Sequence, residues 1–351
     1  MDEKIQSALW MVTKEPILNE FVCYLTETKE LLLQYPNETH TLEFSREQIQ
    51  QVKKAFSTMI RKGEAKLHRL CGLFAENLLC NHFDLKSIVI GRLNSNGERF
   101  ELNRSVKKQE IYSRTDLDLG TWQLSRLRFQ SADGWEEPSL VANFVEYQPT
   151  VLNPLRVFKM ISRIKAEEEI WAKTVDEIFQ IDLWIKRDKS LEELSFFIKD
   201  VFGIKLVVNT NEDVERLLSR LLEVEWTSEE LAKHRVPFSP ETQKLHLIEL
   251  KNHLGSKHQK ASGWQALKAV FSWWDKTFEV QIQTVDIYFR EQEYLTRESH
   301  AGFKERREKI RQELAQKIPL FGFYMNLLQW LFIAPEREPP QLAQVKVKIS
   351  D

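Results

Sequence analysis

Several groups of residues in this chain carry side chains suited to chemistry, and they follow one another in a definite order. Arg163, Lys165 and Lys173 supply cations, Asp200 and Glu279 supply carboxylates, and Trp264 supplies a flat aromatic face; Lys205, Lys260, Lys268 and Gln281 add further charge and an amide. Transfer of a phosphate-containing group asks for cations to gather the phosphates and acids for a divalent ion, and a flat aromatic face can stack on a base. Each residue also has a plainer reading. The stretch RIKAEEEIWAK from Arg163 to Lys173 would make a solvated amphipathic helix with i,i+4 ion pairs such as Glu169 with Lys173. Asp200 would serve as a turn aspartate, and Trp264 as a core aromatic in a chain of ten tryptophans.

Positioning these side chains falls first to a hairpin. Residues 266–274 (ALKAVFSWW) and 277–283 (TFEVQIQ) read as two strands joined at Asp275-Lys276, rich in aromatic and β-branched residues. On the second, Glu279, Gln281 and Gln283 take one face while Phe278, Val280 and Ile282 take the other. A solvated edge strand would give the same alternation. Upstream, residues 155–189 read as one long helical segment carrying Arg163, Lys165 and Lys173, and the Ser190/Glu193 capping box opens a short helix ending near Asp200. A strand over 201–210 and a helix over 211–223 follow, then a loop over 226–240.

The first 85 residues are helical in pattern. Ser45 with Gln48 forms a capping box opening a helix that ends near Gly63, and a second helix runs over 64–81. Residues 87–93 and 98–102 flank Asn96-Gly97 as one hairpin, and 121–130 with 140–147 flank Asp133-Gly134 as another. Prolines at 149 and 154 mark a boundary. The expected domains are an N-terminal α+β module over 1–148, a second domain over 149–335 and a tail over 336–351. Within the second, residues 285–316 read as a charged helix of mixed sign. Residues 319–335 read as an apolar C-terminal helix packed on the body, too short to span a bilayer comfortably.

Composition narrows the class. With 351 residues, 42% of them hydrophobic and 29% charged, the chain can bury a core in each of two domains. The balance of 50 basic against 52 acidic residues excludes a protein that binds nucleic acid by net charge, though not a local basic groove. Cys23, Cys71 and Cys80 lack metal or disulfide spacing and suit a reducing compartment. Asp2, Glu3 and Lys4 are unlike a secretory leader, so the expected location is cytoplasmic.

The motifs themselves carry a resemblance. Lys-x-x-Gly-Trp-Gln-x-Leu from Lys260 to Leu267, followed by Glu-Val-Gln-Ile-Gln-Thr from Glu279 to Thr284, resembles the Gly-Tyr-x-Ser-Leu-His and Glu-(Ile/Val)-Gln-Ile-Arg-Thr signatures of the RelA/SpoT family. These are the synthetases of the guanosine tetra- and pentaphosphate alarmones. RIKAEEEIWAK resembles the family's Arg-x-Lys-x-x-x-Ser-Ile-x-x-Lys, and Asp200-Val-Phe-Gly203-Ile-Lys205 its Asp-(Leu/Ile)-x-Gly-Ile-Arg. Leu250-Lys251-Asn252-His253-Leu254 ahead of Lys260 is similar to the family's Lys-Asp-Tyr-Ile before Pro-Lys.

The resemblance, over residues 155–300, implies an α+β fold: a nucleotidyltransferase-like synthetase domain with a mixed sheet flanked by helices. It implies Mg²⁺-dependent pyrophosphoryl transfer from ATP to the 3′-hydroxyl of GDP or GTP, the chemistry of the stringent response. Arg163, Lys165 and Lys173 would bind ATP, and Asp200 and Glu279 would hold the metal and the hydroxyl. Trp264, Lys205, Lys260, Lys268 and Gln281 would meet the acceptor. The chain departs from the pattern at Glu169 for Ser, Ala266 for Ser, Lys268 for His and Gln283 for Arg. Those departures leave open a tRNA 3′ end as acceptor, as in toxin-like relatives, and a nucleotide-binding protein without catalysis. A homo-oligomer is compatible with either. No His-Asp pair occurs, so alarmone hydrolysis is not expected.

Overall fold

The computed structural model of the protein describes residues 7, 9–10, 14–93, 95–96, 98–113, 116–131, 134–165, 167–180, 198–254, 265–290, 311–333, 335 and 338–351. The chain opens with α1 (Pro16–Gln34), β1 (His40–Ser45) and α2 (Arg46–Leu78). Next come β2 (Phe83–Arg92), β3 (Arg99–Ser105), α3 (Lys108–Ser113), α4 (Asp116–Leu124), β4 (Phe129–Ser131), β5 (Gly134–Glu136), β6 (Ser139–Pro149) and β7 (Val157–Ile164). After α5 (Glu167–Ile178) the chain forms β8 (Phe202–Val208), α6 (Asn211–Glu223), α7 (Ser228–Lys233), α8 (Pro240–Gln243), β9 (His246–Asn252), β10 (Leu267–Trp273) and β11 (Lys276–Thr284). It ends with α9 (Pro319–Leu328), a π-helical turn over Gln329–Ile333, and β12 (Val345–Ser350). The fold is α+β with a mixed sheet.

Two units share these elements, one made of Met1–Ile60, Glu167–Lys199 and Glu298–Asp351, the other of Arg61–Ala166 and Asp200–Arg297. In the first, β1 and β12 pair in parallel. Its core is aromatic: Trp171 on α5 stacks on Phe56 at 4.9 Å and on Phe332 at 4.5 Å, with Phe21 edge-on. The Tyr324 hydroxyl donates to the carbonyl of Leu25 at 3.0 Å, and Arg311 grips Asp176 through both carboxylate oxygens.

The second unit is built on an eight-stranded sheet in the order β3-β2-β6-β7-β8-β11-β10-β9. Its neighbours are antiparallel except β8 and β11, which run parallel. Strand alternation decides the faces. Phe278, Val280 and Ile282 lie beside Phe202, Ile204, Leu206, Ala269 and Phe271, all buried. Gly63 of α2 sits on the Phe202 ring so closely that a Cβ there would lie 1.9 Å from Phe202 Cζ. Amphipathic α6 starts from a Thr210/Asp213 capping box and buries Val214, Leu217 and Leu221.

Several sequence expectations need correcting. The helix expected over 155–189 is, as far as residue 180, β7 followed by α5, so Arg163 and Lys165 sit on or beside a strand and only Lys173 is helical; residues 181–189 lie outside the described residues. The run VFKMISRI alternates with period two, and pairing with β6 and β8 on either side settles it as strand. The two helices meeting at Gly63 are one, because the glycine serves close packing and not a break. The N-terminal helical stretch is interrupted by β1, whose Leu42 and Phe44 are buried. The hairpin over 121–147 gives way to α4, a short β4–β5 hairpin, and a β6 that pairs with β2 and β7. Residues 226–240 contain α7, opened by a Thr227/Glu230 capping box, where a loop was expected.

Other expectations match. The β2–β3 hairpin forms, Gln48 N–H donates to Ser45 Oγ at 3.0 Å, and β8, α6, the β10–β11 hairpin and α9 stand where the sequence put them. The Ser190/Glu193 box lies outside the described residues, as does most of the charged helix over 285–316. No helix among the described residues is long and apolar enough to cross a membrane.

Candidate functional site

The polar face of the sheet gathers most of the charged residues singled out in the sequence. Arg163 on β7 pairs in register with Gly203 on β8, and Gly203 with Glu279 on β11, so the three form one row across three strands. The middle position carries no side chain, which leaves room for a long one. A Cβ on Gly203 would lie 3.4 Å from Arg163 Cγ and 3.6 Å from its Nε, so the arginine stem crosses the glycine from the β7 side. Its charge reaches Glu279 and favours the ionised carboxylate.

Lys165 continues the ladder just past β7. Its backbone N–H donates to the Val201 carbonyl at 2.9 Å, and its Nζ donates to Asp200 Oδ2 at 2.6 Å. On the other side of β11, Lys268 of β10 is paired with Gln281, and its ammonium bonds the Glu279 carboxylate. Gln281 Nε2 donates to Glu279 Oε1 at 2.6 Å. Lys205, in register with Gln281 on β8, lies 6.0 Å from the Tyr288 ring centroid.

Burial and charge oppose one another here. Glu279, only 5% exposed at its side chain, is pushed upward in pKa by burial and by Asp200. Lys268 and Arg163 pull it down and prevail, so the carboxyl stays below its ordinary 4.5. For Lys268, burial alone would lower the pKa, but Glu279, Asp200 and Glu249 together hold it above its ordinary 10.5. A buried carboxylate without such partners would cost several kcal/mol. The third acid, Glu249 on β9, was missed by sequence reasoning; the alternation of β9, which puts it on one face with Lys251, its ion-pair partner at 2.6 Å, is the signal that would have found it.

The structure thus brings together Arg163, Lys165, Asp200, Lys268, Glu279 and Gln281 in the second unit, with Lys205 on the same face. Lys173 belongs to α5 in the first unit. Trp264 and Lys260 lie outside the described residues.

No family model and no curated protein matches the chain. Among solved structures it is similar to small alarmone synthetase 1 from Bacillus subtilis bound to its product pppGpp, at 15% identity and a TM-score of 0.25, over 45% of this chain and 80% of that one. A second structure of small alarmone synthetase 1 from the same organism matches at 14% identity and a TM-score of 0.24, over 46% and 82%. A Streptococcus mutans protein matches at 16% identity and a TM-score of 0.27, over 50% of this chain and 77% of that one. Values of this size leave any functional reading to the side chains.

Among the described residues no three His, Cys, Asp or Glu side chains converge as a metal group. Two carboxylates do fall within electrostatic reach of one another, since Asp200 raises the pKa of Glu279. Two acids suffice for Mg²⁺ when phosphate oxygens and waters complete the octahedron. The donor set therefore fits in number, with both acids bonded to lysine ammoniums, Asp200 to Lys165 and Glu279 to Lys268.

Proposed function

We propose that this protein transfers a pyrophosphoryl group from ATP to the 3′-hydroxyl of a guanosine nucleotide. The observation that supports the reading is the Arg163–Gly203–Glu279 row with Asp200 beside it, which sets guanidinium and ammonium groups against two carboxyl groups on one sheet face. Arg163 and Lys165 bind the donor triphosphate, and Asp200 and Glu279 are the residues that would hold Mg²⁺. Bound there, the ion offsets charge on the phosphate oxygens. The ribose 3′-oxygen attacks the β-phosphorus, the bond from that phosphorus to the α,β-bridging oxygen breaks, and AMP leaves. Glu279, ionised at neutral pH, orients the hydroxyl and accepts its proton. Lys205, Lys268 and Gln281 face the acceptor's phosphates, while Trp264 and Lys260 keep the roles that the family resemblance gives them. Positioning and electrostatics supply most of the acceleration.

One observation favours a second reading, a nucleotide-binding protein without turnover: both acids hold lysines. The test is AMP release from ATP with GDP or GTP, using ATP labelled at the γ-phosphate. Wild-type protein should move label into the guanosine nucleotide, and Asp200→Ala and Glu279→Gln should each lower the rate by about a hundredfold or more. Label in RNA instead would make a tRNA end the acceptor. Calorimetric ATP binding with no AMP formed would establish the second reading, and unchanged turnover in either variant would remove the acids from the mechanism.

A further inference from the structure

Glu279 already holds a cation. Lys268 extends from β10 next to β11, and its ammonium bonds Glu279 on the face shared with Arg163 and Gln281. Glu279 is the carboxylate it touches, and Asp200 and Glu249 favour its charge from further off. Asp200 has a second partner in Lys165, and Glu249 a second in Lys251, so Glu279 is the acid that depends most directly on Lys268. A lysine is a tethered point charge with three donors, and on a strand its flexible stem can withdraw without moving the backbone.

We propose that Lys268 is a resident cation that competes with a divalent ion for Glu279, so that metal enters the acid pair only as the lysine ammonium leaves it. The inference rests on the reading of Asp200 and Glu279 as the metal-holding acids, but not on turnover. Two consequences follow from charge alone. A bare divalent ion meets a positive charge already seated beside its ligand, which weakens its binding. A metal–polyphosphate complex meets less opposition, because its phosphates offer the displaced ammonium new acceptors. Lys268 would then make the cleft selective for a metal that arrives with its nucleotide.

The test needs no activity. Mn²⁺ titrated into the full chain without nucleotide, with free ion followed by electron paramagnetic resonance, should bind Lys268→Met at least about tenfold more tightly than wild type. Lys268→Arg should stay near wild type, and Lys268→Met combined with Glu279→Gln should lose the gain. Equal or weaker binding in a folded Lys268→Met protein overturns the proposal. A measurement on the unaltered chain stands beside it. The ¹H–¹⁵N signal of the Lys268 ammonium, held by its carboxylate, should shift or vanish on addition of Mg²⁺ with a non-hydrolysable ATP analogue. Metal–nucleotide binding with that signal unchanged would refute the exchange. If the exchange is seen but no AMP forms, the transferase reading fails and this inference stands.

Discussion

At the scale of single residues, Glu279 and Lys268 are the pair on which the charged face turns. Each is stabilised in its ionised form by the other, and the consequence for pH follows from the two directions. The Glu279 pKa is depressed, so its contribution to stability is present above the ordinary 4.5 and is lost as pH falls through the lower folded value. The Lys268 pKa is raised, so its contribution is present below the ordinary 10.5 and is lost as pH climbs through the higher folded value. Thermal unfolding should therefore show a wide stable plateau between those limits. Glu279→Gln should narrow it and cost about 1–2 kcal/mol at neutral pH, because a partly buried ammonium loses the carboxylate it is bonded to while Asp200 and Glu249 still offset its charge. A melting temperature for that variant equal to wild type across the plateau would contradict the pairing.

At the scale of elements, the decisive contact is α2 on β8. Gly63 in the middle of a 33-residue helix reads as a break, since glycine weakens a helix interior by about 1 kcal/mol relative to alanine. Here its missing side chain lets the Phe202 ring lie against the helix. Gly63→Ala should therefore destabilise the protein, by about 1–3 kcal/mol in urea unfolding, in spite of alanine's better helix propensity. Adding Phe202→Leu should recover part of the loss. Gly203→Ala is the contrast: its Cβ would meet Arg163 at 3.4 Å, ordinary contact, so stability should change little while Arg163 is nudged from its path to Glu279.

At the scale of the whole molecule, continuity along the chain and continuity in space part company. The expected boundary near residue 148 falls within the end of β6, a strand hydrogen-bonded to β2 before it and β7 after it in one sheet. The first unit is assembled from three separate segments, with Trp171 from the middle one stacked on Phe56 and Phe332 from the outer two. Neither 1–148 nor 149–351, expressed alone, should fold, since each would expose a strand edge and half of an aromatic core. Dispersed ¹H–¹⁵N spectra from either fragment would show the halves to be independent after all.

Local pattern was enough for the elements whose signals are strong and short-ranged. The β10–β11 hairpin follows from alternation and a tight turn, α6 from its period and cap, and β8 from an apolar β-branched run. It was not enough for β7, because RIKAEEEIWAK is composed of good helix formers and the change of state after Ile164 leaves no Gly or Pro behind. Nor did it reveal Glu249, or that Lys268 faces the very acid it bonds. The sequence by itself determined which side chains were available, their order, and the two-residue repeat that puts Glu279 and Gln281 on one face. Only the tertiary structure decided that β8 and β11 lie side by side in parallel and that Arg163 reaches over Gly203. Pairing between strands so distant in the chain is set by burial of both apolar faces in one sheet, an energy no short window of residues contains.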